Sequence, residues 1–366
     1  MLAAVDAARM RGEFPVLRRL AFLNAGTDGP VPARAVDAAR AELEREAAEG
    51  RSVAHFERRR ELREAQRAVY AGLLHCEPAD VALTTSTSES IAVAIAGLEL
   101  RAGDEILTSD EEHPGLLGPL QAARDLRGAS VRVVPFDEVA AAAAEAGPRL
   151  RLVACSHVSW MTGRVAPAEL AQVDVPVLLD GAQGAGAIPV DLPALGCQIY
   201  AGAGQKWLCG PDGTGMLYVS PEIRDHVAAT ARSYLSFVDA GPGLDAELHA
   251  DARRYDTPAL SAEASAFALA ALDAIGSEGW PAVHERARSL ALRLAEALTA
   301  KGRAVAPRGD TTLVSFHSDD PVAERTLLAE RDVVVRDVPG RPWLRASVGA
   351  WNDDGDLERL LDGLAA

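Results

Sequence analysis

The stretch VPVLLDGAQ (175–183) decides how this chain folds. Four of the five residues before Asp180 are Val or Leu, a run without the apolar–polar alternation of a sheet with one wet face. Continuous apolar strands belong to sheets covered on both faces. Such a strand delivers its terminal carboxylate to the rim of a buried sheet. An unpaired buried charge is costly, so Asp180 should face a cationic or protonated partner. A structural ion pair with an arginine is the plain alternative.

The same punctuation recurs on either side. DVALTTSTSESIAVAIAGLEL (80–100) reads as strand, turn and helix, DEILTSDEEHPG (104–115) precedes a helical 116–127, and RLVACSHV (151–158) precedes a helical APAELAQV (166–173). QIYAGAG (198–204) and GMLYVS (215–220) add two strands, while 33–72 reads as helix. Strands separated by crossovers predict an α/β fold with a parallel or mixed sheet and helices on both faces. From about residue 240 the pattern changes to Ala- and Leu-rich helices over 261–276 and 281–301, then TTLVSF, DVVVRD and a final helix, which predicts a smaller α+β part. The expected division is an N-terminal segment 1–20 packed on the small domain, a large domain 21–239 and a small domain 240–366.

With 366 residues the chain is long enough for a sizeable core. Its net charge of −16 disfavours nucleic acid and anionic membrane surfaces as partners. No apolar stretch approaches the ~18 residues of a membrane span, and the first residues lack a signal peptide's apolar run, so the expected location is cytoplasmic. The four cysteines, Cys76, Cys155, Cys197 and Cys209, are widely separated with no C-x-x-C, which argues against a zinc site or a disulfide framework. No metal is expected.

In open α/β sheets ligands bind beyond the carboxyl ends of the strands. Four clusters fall there: Ser86-Thr87-Ser88, His113, Asp180 with Gln183, and Lys206. The hydroxyl cluster precedes a helix whose free N–H groups suit an anion such as phosphate, although an ordinary N-cap explains it as well. His113 and His157 fit capping or core roles as easily as catalysis. Lys206 is harder to dismiss, because the chain has 35 arginines and only two lysines. A lysine can lose its proton and attack a carbonyl, as arginine cannot. An aldehyde for the lysine, a phosphate for the helix and a heteroaromatic nitrogen for the aspartate together describe pyridoxal 5′-phosphate. The signatures of nucleotide-binding P-loops, zinc proteases, serine hydrolases and dinucleotide folds are absent.

Taken in order, FLNAGTDGPVP (22–32), TTSTSES (84–90), SDEEHPG (109–115), SHVSWMTGRVAP (156–167), VLLDGAQGAGAIPVDL (177–192), GQKWLCGPDGTGMLYV (204–219) and WLRASVGAWNDDGDLERLL (343–361) resemble the class V aminotransferase and cysteine desulfurase-like group of fold type I pyridoxal phosphate enzymes. The resemblance implies a large domain with a mainly parallel seven-stranded sheet. It implies that Lys206 carries the cofactor as a Schiff base, Asp180 pairs with the ring nitrogen, His113 stacks on the ring and Gln183 reaches the phenolic oxygen. Ser86, Thr87 and Ser88 would hold the phosphate, and Arg345 the substrate α-carboxylate. Ala25, Gly26 and Trp160 would line the substrate site. RRYDTP (253–258) resembles a segment that reaches the partner's phosphate, so Thr257 implies a homodimer with sites at its interface.

Departures narrow the reaction. RDVVVRDVPGRPWLR (331–345) has no cysteine where the desulfurases carry their nucleophile. Ala203 and Gln205 replace a hydroxyl residue and a histidine, which predicts an altered phosphate cup. Trp160 stands where an asparagine is usual and, with EEHPG and KWLCGP, resembles the cystine C–S lyase and isopenicillin N epimerase-like branch. The expected function is therefore β-elimination on a cystine-like or S-substituted cysteine. Transamination is the alternative, then epimerisation, and last a catalytically silent cofactor-binding protein. Trp160, Met161 and Phe22 are equally candidates for an apolar pocket lining or for core.

Overall fold

The computed structural model describes residues 5–364, so the first four residues of the expected 1–20 segment lie outside the described residues. The strands are β1 (Ala21–Phe22), β2 (Val81–Thr84), β3 (Glu105–Ser109), β4 (Ser130–Val134), β5 (Leu150–Ser156), β6 (Val177–Asp180), β7 (Ile199–Ala203), β8 (Gly215–Val219), β9 (Leu313–His317), β10 (Val333–Val334), β11 (Arg336–Asp337) and β12 (Trp343–Ser347). The helices are α1 (Ala7–Gly12), α2 (Ala33–Glu49), α3 (Val53–Leu74), α4 (Thr87–Gly97), α5 (Pro114–Arg127), α6 (Val139–Ala144), α7 (Leu192–Leu195), α8 (Ala262–Gly276), α9 (Trp280–Ala300), α10 (Pro321–Glu330) and α11 (Asp354–Gly363).

Seven strands form the main sheet in the order β2-β8-β7-β6-β5-β3-β4. The β3–β4, β3–β5, β5–β6 and β6–β7 pairs are parallel. β8 is antiparallel to both its neighbours, β2 and β7. β2 therefore runs with β7, and the carboxyl ends of β2, β3, β5, β6 and β7 share one edge.

Successive side chains of a strand point to opposite faces, and here both faces are apolar. Val153, Val177, Leu179 and Tyr200 join one buried cluster with Tyr70 and Leu74 of α3 and Val139 of α6. Leu152, Leu178, Ile199 and Ala201 join another with Ile91 of α4 and Leu116 and Leu120 of α5. This is why the strands read as unbroken apolar runs. β4 escaped the sequence reading because it is an edge strand, SVRVV, with mixed exposure. The helical stretch 33–72 is two helices, broken at Gly50 with φ 74°. The expected helix at APAELAQV is only a short 3-10 turn, Ala168–Gln172.

The C-terminal part holds a three-stranded antiparallel sheet, β11-β12-β9. β1 pairs in parallel with β10 of this part, and Asn24 bridges to Ser347. Met10, Phe14 and Leu17 pack into a cluster with Val283, Ala350 and Trp351, and Arg11 bonds Asp356 at 2.7 Å. α8 packs on α2 and α3. No described helix is long and apolar enough to cross a membrane, and no described group of His, Cys, Asp and Glu could hold a metal ion.

A buried ionic knot ties 256–257 to β2. Asp256 accepts from Arg63 at 3.0 Å, from Arg67 at 2.6 Å and from the Leu83 N–H at 2.8 Å, while Thr257 N–H donates to Leu83 O at 2.9 Å. Asp256 is the anion facing both guanidiniums at this buried point. Asp256→Ala is expected to lower unfolding stability by about 3–5 kcal/mol, the cost of stranding buried charge, read from urea unfolding midpoints.

Candidate active site

The strand ends at the shared edge bring the sequence candidates together. Asp180 closes β6 with a buried carboxylate whose Oδ1 accepts from Ala182 N–H at 2.9 Å. Burial raises its pKa, and Lys206 partly offsets this. Lys206 follows β7. Burial pushes its ammonium down to about 8, against the pull of Asp180 and with the added repulsion of Arg345 and Arg336. Lys206 and Asp180 make no ion pair within 4.0 Å among the described residues, so both retain polar atoms free for a ligand.

His113 caps α5, its Nδ1 accepting from Gly115 N–H at 3.0 Å. That bond leaves the proton on Nε2. Burial and the cations Lys206, Arg336 and Arg345 push its pKa down to about 4, so the ring is neutral at physiological pH. Trp160 meets it edge-on, with ring centroids 5.1 Å apart. His157, by contrast, is buried with Nδ1 3.1 Å from Tyr200 Oη, a core histidine lowered to about 4 by burial.

Ser86 is the N-cap of α4, accepting from Glu89 N–H at 3.1 Å. Thr87 is buried, and its Oγ1 has no partner among the described residues. Ser88 is exposed beside Gly115, where an added Cβ would come within 2.5 Å of Ser88 Oγ. Gln205 Oε1 is likewise buried without a partner, and Ala203 is buried. Gln183 donates to Gly26 O at 2.7 Å and accepts from Trp207 Nε1 at 3.0 Å. Gly26 is held so closely that a Cβ would sit 2.7 Å from Ser347 Oγ, and Ala25 is fully buried. Thr257 lies beside β2, its Oγ1 taking the Ala259 N–H at 3.4 Å. Met161 holds Ser315 through its carbonyl at 2.5 Å, and Phe22 packs against the Met10 and Phe14 cluster.

Arg345 is 1% exposed. Its Nη1 donates to Trp160 O at 2.7 Å and its Nη2 to Thr27 Oγ1 at 3.2 Å, while its Nε is unpartnered. Arg336 Nη1 reaches the same Thr27 Oγ1 at 3.2 Å. Neither guanidinium has a carboxylate within 4.0 Å among the described residues. Burial and Arg336 pull Arg345 below its ordinary range, a strain that a bound anion would relieve.

Three site groups were not read from the sequence. Arg336 comes to the site because β11 pairs with β12 in a register that sets Arg336 opposite Arg345, and a two-residue strand has no periodicity to read. Asp28 follows Thr27 in the turn that lies over Lys206. Glu112 sits behind Asp180, accepting from Ser109 and from Ser156 Oγ at 2.6 Å, and burial pushes it up to about 7. Its signal was the second acid of EEH, overshadowed by the histidine.

The donor set fits pyridoxal 5′-phosphate. An amine pushed toward neutrality, a buried carboxylate without a cation in contact, a neutral imidazole and the unpartnered Thr87 Oγ1 and Gln205 Oε1 lie at the strand edge. The N–H groups of Thr87 and Ser88 begin α4 and bond to nothing else described.

The Aminotransferase class-V family profile matches residues 21–360. A probable cysteine desulfurase of Pseudomonas aeruginosa is 36% identical over 339 residues, covering 81% of this chain and 80% of that protein. Isopenicillin N epimerase of Streptomyces clavuligerus is 27% identical, covering 100% and 99%. Among solved structures, the cystine C–S lyase C-DES in complex with its reaction product cysteine persulfide superposes with a TM-score of 0.89 at 28% identity, covering 96% of this chain and 99% of that one. A lysine-to-alanine variant of C-DES, with glycine covalently linked to the pyridoxal phosphate cofactor, gives 0.91 at 28% identity, covering 97% and 98%.

The charge balance around Lys206 is directly measurable. In cofactor-stripped protein, labelling of Lys206 by trinitrobenzenesulfonate is expected to titrate with a midpoint near pH 8. Asp180→Asn should lower that midpoint, because the carboxylate stabilises the ammonium. Peptide mapping separates Lys206 from Lys301, the other lysine in the chain.

Proposed function

This chain belongs to the aminotransferase class-V family, and from that premise we propose that it is a carbon–sulfur lyase eliminating sulfur from Cβ of a cystine-like amino acid. Like its relatives it is a pyridoxal-phosphate-dependent enzyme. The observation that carries the lyase reading is the pair Arg336 and Arg345, two guanidiniums without a carboxylate converging on one hydroxyl, Thr27 Oγ1. Both are anion sites, and L-cystine carries a carboxylate for each of them.

Lys206, Asp180, His113, Gln183, Gln205 and the Ser86–Ser88 turn would hold the cofactor, with Thr257 reaching the partner's site in a homodimer. The exposed Phe56, Tyr234 and Val238, beside Asp256, support such an interface. When bound, the cofactor supplies an electron sink that makes the substrate Cα acidic. Asp180 would keep a proton on its ring nitrogen. Arg345 fixes the α-carboxylate and so aims the Cα–H bond. Lys206 Nζ, with its pKa pushed down to about 8, has a neutral fraction at neutral pH and takes the Cα proton. The Cβ–S bond then breaks with both electrons leaving on sulfur. In sum, L-cystine and one water give pyruvate, ammonia and cysteine persulfide.

No protein thiol is needed for this, and the half-buried Cys76 has its thiol pushed up to about 12 by burial and by Asp80 and Glu77. Cys155, Cys197 and Cys209 are buried. Burial raises the Cys209 thiol well above its ordinary value although it lies three residues from Lys206, so no thiolate waits there to accept sulfur. The full-length match to isopenicillin N epimerase supports epimerisation as the second reading.

Purified enzyme given L-cystine is expected to release pyruvate, and Lys206→Ala to abolish it. Arg336→Ala should raise KM for L-cystine by roughly tenfold or more, the loss of one charge-assisted contact. Stoichiometric pyridoxamine phosphate without pyruvate would mean transamination, and D-isomers without pyruvate would mean epimerisation.

A further inference from the structure

L-cystine carries a second ammonium as well as a second carboxylate, and Asp28 is the anion the pocket offers it. Asn24 O takes the N–H groups of Thr27 and Asp28 at 2.9 and 3.3 Å. The Gly29 N–H then donates to Gln205 O at 2.8 Å. The turn is thereby tied to the lysine segment, so closely that any Cβ on Gly29 would collide with the Lys206 carbonyl. Asp28 follows directly on Thr27, the residue both guanidiniums bind. Its side chain is exposed and makes no hydrogen bond or ion pair among the described residues. Around it stand Lys206 and Arg336, which favour its charge, and Asp212, which opposes it. Although the residue is exposed, partial desolvation of its carboxylate and repulsion from Asp212 outweigh those two cations and raise its pKa.

We propose that Asp28 binds the ammonium, and Arg336 the carboxylate, at the far end of a double amino acid, so that the pocket selects a substrate that is zwitterionic at both ends. This rests on the lyase reading for its substrate class. The two charges of a far α-amino acid sit on one carbon, and Asp28 directly follows the threonine whose hydroxyl Arg336 Nη1 contacts at 3.2 Å. A site built around a charged substrate group rejects the analogue lacking it.

The test compares L-cystine with the mixed disulfide of L-cysteine and 3-mercaptopropionate, which is L-cystine without the far ammonium. On the holoenzyme, kcat/KM for pyruvate release is expected to be about tenfold higher for L-cystine, the scale of one partly exposed charge-assisted bond. Asp28→Asn should bring that ratio to about one, chiefly by raising KM for L-cystine. Equal values in the wild type, or a ratio that survives Asp28→Asn, overturns the assignment while leaving the lyase reading intact. If neither compound yields pyruvate, the lyase reading fails. Calorimetric Kd values of both compounds on the holoenzyme then decide Asp28: about tenfold weaker binding of the mixed disulfide supports it, and equal binding overturns it.

Discussion

A sheet that is apolar on both faces has no lateral room for charge. Leu178 and Leu179 point into opposite cores, so the first position in β6 where a carboxylate can live is the strand's end, and Asp180 is there. The same constraint places Lys206 beyond β7, His113 beyond β3 and the Ser86–Ser88 turn beyond β2. That turn shares the edge only because β8 reverses direction between β2 and β7. One packing rule thus collects an amine, a carboxylate, an imidazole and a helix N-terminus at one rim.

The collected charges are close but unpaired. Lys206, Arg336 and Arg345 stand near Asp180, Asp28 and Asp212, and none of the three cations has a carboxylate within 4.0 Å among the described residues. The buried groups register this as displaced proton affinities. The Lys206 ammonium is lowered, His113 is neutral, and Glu112, held by two serines without a cation, is raised toward neutrality. Such displacements concentrate where a ligand completes the electrostatics.

The likeness to both a desulfurase and a C–S lyase is understandable on this frame, since the strand-edge set serves any reaction that begins by removing a Cα proton. The difference lies in what else reaches the substrate. Here the C-terminal part presents a second arginine instead of a thiol. β12 brings Arg345 between the Trp160 carbonyl and Thr27, and β11 brings Arg336 to the same hydroxyl.

Six of the seven strands of the main sheet, their buried character and the groups at their ends were legible in the sequence, because an unbroken apolar run with a polar terminus is a local pattern. The sequence also singled out Lys206, because lysine is nearly absent elsewhere. It could not supply Arg336 or Asp28. Arg336 lies in a two-residue strand whose importance comes from its register opposite Arg345, and Asp28 lies in a turn whose importance comes from tertiary contact with Gln205 and Lys206. The edge strand β4, half exposed, lacked the apolar run that betrayed the others. Those features depend on which distant segments pair, and long-range pairing is decided by packing of the whole chain rather than by any stretch of it.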